Sequence, residues 1–146
     1  MVRTLFDTSV LVAAFVATHP RHSVCLKKLQ QVKAGQTEGF IAAHTLAETY
    51  SVLTRLPVRP PISPKLAQQL IRENLEGFEV ISLSPSDYQV VIAQMVNLNL
   101  PGGAIYDALI AQAALRAKVE QLMTLNPDHF TRLSEEIAQL VLLPHA

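Results

Sequence analysis

Apolar and polar positions change period several times along this chain, and each change marks an element. Val2 to Phe6 is a short β-branched and aromatic run of strand type, while Ser9 to Val16 is too apolar on every side for an exposed helix. A second helix is predicted to open at His19-Pro20, with Pro20 in its first turn, carry Val24, Leu26, Leu29 and Val32 on its apolar side, and end at Ala34-Gly35. Residues 39–43, GFIAA, read as a buried strand. The next helix places Leu46, Tyr50, Leu53 and Leu56 at helical spacing and stops at Pro57.

Residues 57–64, PVRPPISP, form a proline-rich connector whose Ser63-Pro64 is an N-cap with proline at the first helical position, opening a helix to Leu75. FEVISL, residues 78–83, alternates as a strand does, and Ser84-Pro85 opens another helix reaching about Leu98. After Pro101-Gly102-Gly103 come the helix IYDALIAQAALRAK, the strand-like QLMTL, a helical turn started by Asn126-Pro127, and a last strand in LVLLP. Strand and helix alternate throughout. That order predicts an α/β fold, a three-layer α/β/α sandwich whose central, mostly parallel sheet is joined by right-handed crossovers. Ligands of such sheets sit at the carboxyl ends of the strands.

Composition sharpens this picture. A chain of 146 residues, 49% hydrophobic, fits one domain spanning residues 1–146. Twelve Lys plus Arg balance twelve Asp plus Glu, so any polyanionic substrate must be held locally rather than by a basic surface. No apolar run reaches the roughly 20 residues of a membrane span, and a soluble, cytoplasmic protein is expected. The single cysteine, Cys25, is expected to be a buried, inert thiol. A mean hydropathy of +0.25 is high for a small domain and predicts covered apolar surface, in a homodimer or under a regulatory protein.

Three carboxylates stand apart from the others. Asp7 lies between two apolar runs and is the only acid before Glu38; Glu48 is the only one between Glu38 and Glu73, and Asp107 the only one between Asp87 and Glu120. Each has an ordinary structural explanation: an N-cap for Asp7, a surface residue paired with His44 for Glu48, a first-turn acid suiting the helix dipole for Asp107. Taken together they point elsewhere. The topology sends all three to one crevice, where empty and ionised they would repel one another, and a hard divalent cation relieves that repulsion. Mg²⁺ or Mn²⁺ is the implied cofactor. Zinc is disfavoured because His19 and His22 have no second pair to complete a tetrahedral set.

At these residues a resemblance enters. DTSVLVAAF, the glutamate in AAHTLAETYSVL, the segment GGAIYDALIAQAA and the terminal TLNPDHF, in that order, resemble the PIN-domain ribonucleases, most closely the VapC toxin type, over nearly the whole chain. The resemblance implies a metal-dependent endoribonuclease on a PIN-like parallel sandwich, usually dimeric and held inactive by a VapB-type antitoxin. Asp7, Glu48 and Asp107 match that family's metal-binding acids, Ser9 a hydroxyl position beside the first, and Thr124 one in the last block. The fourth acidic position departs from the pattern. Relatives often carry an acid where this chain has Asn126 or His129, whereas here the nearest carboxylate is Asp128. Asn126 can coordinate through its amide oxygen or hold a water but brings no charge, Asp128 either substitutes for the missing acid or only sits in the first turn of the helix opened by Pro127, and a second metal site is expected to be weakened.

The chemistry that follows is phosphodiester hydrolysis. A cation held by Asp7 and Asp107 would bind a phosphodiester oxygen and make hydroxide available near neutral pH, with Glu48 either positioning or deprotonating the water or ligating directly. Arg21, Lys27, Lys28, Arg55 and Arg59 are the candidate RNA contacts, ordinary solvated surface being an equal reading of them. A nucleotide enzyme would need a phosphate-binding Gly-rich loop, and PGGA is neither GxxxxGK nor GxGxxG. The stronger rival is a catalytically degenerate PIN-fold module that binds RNA or a protein partner, favoured by the altered fourth acid and opposed by three intact ones.

Overall fold

The computed structural model describes residues 1–146. Five strands, β1 (Val2–Phe6), β2 (Thr37–Ala42), β3 (Glu79–Ile81), β4 (Gln121–Met123) and β5 (Val141–Leu142), form one sheet in the order β3-β2-β1-β4-β5, with every neighbouring pair parallel. The helices are α1 (Thr8–Phe15), α2 (His22–Lys33), α3 (Ala43–Arg55), α4 (Pro64–Asn74), α5 (Pro85–Leu98), α6 (Ala104–Ala117), α7 (Asp128–Thr131) and α8 (Glu135–Ala138).

The side-chain period of two in the strands builds the layers. Leu5, Phe40 and Leu122 face one way and pack with Val91 and Met95 of α5, Ile110 and Ala114 of α6, and Phe130 and Ile137. Their neighbours Phe6, Ile41 and Met123 face the other way and pack with Val10 and Leu11 of α1 and Cys25, Leu29 and Val32 of α2. A three-layer α/β/α sandwich results. Cys25 is buried in the second of these cores, as expected. A smaller cluster of Val12, Val16, Leu53 and Ala67 fastens α3 and α4 to α1.

Strand order decides where the crevice lies. From β1 the chain runs to β2 and β3 on one side and later returns to β4 and β5 on the other, so connections diverge between β1 and β4. That is the switch point where α/β sheets open a cleft. The two strands remain joined there, the Asp7 N–H donating to the Met123 carbonyl at 2.9 Å.

Several boundaries differ from those the pattern predicts, each for a local reason. The second helix begins at His22, not at Pro20, because residues 17–21 close a turn in which the His22 N–H donates to the His19 carbonyl at 3.0 Å. The strand expected over 78–83 is paired only at Glu79–Ile81, at the sheet edge. QLMTL is strand only to Met123, since Thr124 turns toward Asp7. The tail is strand only at Val141–Leu142, and α8, capped by the Ser134 hydroxyl, had no counterpart in the pattern.

Candidate active site

Asp7 stands directly after β1, at the N-cap position of α1, yet its side chain makes no capping bond. Two hydroxyls hold it instead. Ser9 Oγ donates to Asp7 Oδ2 at 2.7 Å and Thr124 Oγ1 donates to the same oxygen at 2.9 Å. Each hydroxyl is fixed in turn by a main-chain donor, Leu125 N–H to Ser9 at 3.0 Å and Asn126 N–H to Thr124 at 2.9 Å. The proton directions are therefore set, and Oδ1 takes neither proton. Glu48, in the second turn of α3, accepts the hydroxyl of Thr8, which ties α3 to the start of α1.

Asp107 enters from the first turn of α6, its Oδ2 3.5 Å from Nδ1 of His129. Asp7, Glu48 and Asp107 line one cavity of about 560 Å³, together with Thr8, Ser9, His19, Arg21 and Asn126. Their charges interact. Burial pushes the Asp7 carboxyl above its ordinary range, the Ser9 and Thr124 hydroxyls draw it back, and the Glu48 charge raises it again. Asp107 is pushed up to about 6, first by burial and then by the charge of Asp7, with His129 opposing and Glu48 adding to the rise. No three His, Cys, Asp or Glu side chains stand together as a ready-made cation cage. The donors that could hold a cation are the carboxylates of Asp7 and Asp107 with Glu48 near them, a set suited to a small hard ion that keeps several waters.

A family model described as the PIN domain matches residues 4–136. This chain belongs to the PIN-domain family. Among the relatives of this PIN domain, Ribonuclease VapC27 of Mycobacterium tuberculosis is 36% identical over 115 residues, 78% of each chain. The fold matches that of VapBC2 from Rickettsia felis bound to a promoter DNA fragment, at a TM-score of 0.67 and 20% identity, covering 98% of this chain and 99% of that one. A toxin-antitoxin complex from Klebsiella pneumoniae gives a TM-score of 0.66 at 21% identity, covering 97% and 98%.

The other residues singled out in the sequence fall on both sides of this cavity. Asn126 is on its wall, whereas Asp128 is exposed in α7 and does not line it. Of the five cations, only Arg21 lines the PIN-domain cavity. Lys27 is exposed, Lys28 borders a separate groove with Thr37 and His145, and Arg55 and Arg59 are exposed at and beyond the end of α3. His44 does not pair with Glu48; its ring stacks on Tyr106, centroids 4.9 Å apart and planes within 3°. Thr8, His19 and Val52 also line the cavity and were not assigned to it from sequence. Thr8 had a signal in its adjacency to Asp7, while Val52 is one turn beyond Glu48 and looked like any core residue.

Proposed function

We propose that this PIN domain is a Mg²⁺- or Mn²⁺-dependent endoribonuclease that hydrolyses phosphodiester bonds in single-stranded or structured RNA, and the toxin of a VapBC-type pair acting in the cytoplasm as a homodimer. The observation that carries the reading is the convergence of Asp7, Glu48 and Asp107, from three separate elements, on one cavity at the strand switch point. The ribonuclease name of the VapC27 relative supports RNA as substrate, and the fold shared with VapBC and toxin-antitoxin structures supports an antitoxin partner.

Carboxylates raised by burial and by one another are groups that a bound cation would stabilise, so the residues fit the ion the reading requires. Asp7 and Asp107 would hold it, and when bound it supplies Lewis acidity toward a phosphodiester oxygen and acidifies water toward neutral pH. Ser9 and Thr124 keep Asp7 in one orientation, so no rotamer has to be selected when substrate enters. Glu48, steadied by Thr8, accepts the proton of the attacking water. Arg21 offers its charge to the RNA backbone, and Asn126 offers an uncharged amide at the altered acidic position.

The deciding experiment is cleavage of labelled transfer and ribosomal RNA by antitoxin-free protein in Mg²⁺ and in Mn²⁺, beside Asp7→Asn and EDTA controls. Defined fragments absent from both controls are expected. A folded, inhibitor-free protein that cuts nothing with either ion would overturn the reading in favour of a degenerate binding module, for which the neutral Asn126 on the cavity wall is the supporting observation.

A further inference from the structure

We propose that His19 binds a phosphate oxygen of the RNA strand through its Nε2–H, acting as a hydrogen-bond donor on the cavity wall; the inference rests on the ribonuclease reading above. A polyanion entering this cavity meets three carboxylates, none of which donates a hydrogen bond when ionised. The hydroxyl protons of Thr8 and Ser9 are already taken by Glu48 and Asp7. Among the polar side chains of the wall, the donors left for substrate are those of His19, Arg21 and Asn126.

The state of the His19 ring follows from its own contacts. The Arg21 main-chain N–H donates to His19 Nδ1 at 3.0 Å, so Nδ1 must carry a lone pair and the ring proton resides on Nε2. The free end of the ring is thus a donor. Its carrier is also held in place: His19 N–H donates to the Val16 carbonyl at 3.0 Å, His22 N–H donates to the His19 carbonyl at 3.0 Å, and the Arg21 guanidinium donates to the Pro144 carbonyl in the C-terminal tail. His22 does not line the cavity, and its Nδ1–H donates to the Ala13 carbonyl at 3.0 Å. A donor fixed in advance on a pinned connector loses little freedom when it engages substrate.

The ring also has a local structural duty, and two substitutions separate it from the proposed one. His19→Asn keeps a short side-chain acceptor for the Arg21 N–H, as Asn does in turns, but has nothing at the position of Nε2. His19→Gln carries an N–H near that position. The measurements are the melting temperature, kcat/KM on labelled RNA in Mg²⁺, and affinity for a fluorescein-labelled single-stranded RNA in EDTA. His19→Asn is expected to melt like the wild type while losing about 10- to 100-fold in both RNA measurements, and His19→Gln to recover most of that loss. If His19→Asn binds and cleaves like a wild type that itself cuts RNA, the phosphate role is overturned and the ribonuclease reading stands. The phosphate role is equally overturned if both variants lose RNA binding only in step with melting temperature. A wild type that neither binds nor cuts RNA overturns the ribonuclease reading and this inference with it.

Discussion

Asp7 and Asp87 each expose little surface, 5% and 6%, yet their carboxyls are shifted in opposite directions, Asp7 upward chiefly by burial and Asp87 downward chiefly by the Ser84 amide. Asp87 accepts the Ser84 N–H at 2.8 Å, Gln112 Nε2 at 3.2 Å and the Arg116 guanidinium at 2.8 Å, and these partners, the Ser84 amide first, hold it below the usual carboxylate range. Asp7 has two neutral hydroxyls and a like charge, so burial prevails. Asp87 ties α5 to α6 with a guanidinium at 2.8 Å, whereas Asp7 has no cation among its partners and Asp107 has only the His129 ring at 3.5 Å, the imbalance expected of carboxylates that await a ligand. Asp107 makes this testable by pH. Its carboxyl is raised to about 6 in the folded chain against an ordinary value of 3.8, so its ionised form disfavours folding. The penalty is absent below about pH 4, grows as pH rises through about 6, and then stays constant, at on the order of 2 kcal/mol after discounting for partial exposure. In EDTA, the melting temperature of Asp107→Asn should therefore pull ahead of the wild type as the pH is raised from about 4 to about 7. Parallel curves across that range would refute the shift.

At the level of elements, the site depends on where strands stop. β4 ends at Met123, which frees Thr124 to turn its hydroxyl onto Asp7, and β2 ends at Ala42, so that α3 brings Glu48 within reach of Thr8 at the start of α1. The sheet tolerates little adjustment beneath them. A Cβ built on Gly39 in β2 would lie 2.8 Å from Val32 Cγ1 and 2.8 Å from the Phe78 ring, whose edge also meets Phe6 at a 5.1 Å centroid distance. Gly39→Ala should force Val32 of α2 and Phe78 apart and destabilise the fold by about 1–3 kcal/mol, read by urea denaturation. An unchanged midpoint would mean that both neighbours move aside freely.

For the whole molecule, the positive hydropathy reappears as exposed apolar side chains on α5. Val90, Ile92 and Val96 all face solvent, Val96 with 73% of its surface exposed, and Ile92 and Val96 border a groove completed by Leu100 and Ile105. The proposed homodimer would cover this face. Val96→Asp should then convert a dimer to a monomer in light-scattering chromatography without lowering the melting temperature of the dilute protein. A wild type that runs as a monomer at tens of micromolar (about 50 μM), far above the dissociation constant of an ordinary dimer, would remove that part of the reading.

The order of elements, α8 excepted, and the isolation of the three acids were legible along the chain because they rest on local signals: a hydrophobic period that changes from two to 3.6, Ser-Pro helix starts, and carboxylates set in apolar runs. What those signals do not contain is which groups face each acid, since the partners of Asp7 and Asp87 lie up to 117 residues away and are chosen by packing. Asp87 has the pattern of an ordinary helix-start acid until Arg116 of α6 closes over it, and His19 that of a helix start until its ring takes the Arg21 amide. The same limit explains Asp128, a carboxylate at a plausible position in the sequence that stands exposed at the start of α7 and off the cavity, while Asn126 two residues earlier is on its wall. Periodicity is a property of neighbours along the chain, whereas the charge balance of a site is a property of neighbours in space, and only the folded sheet brings the second set together.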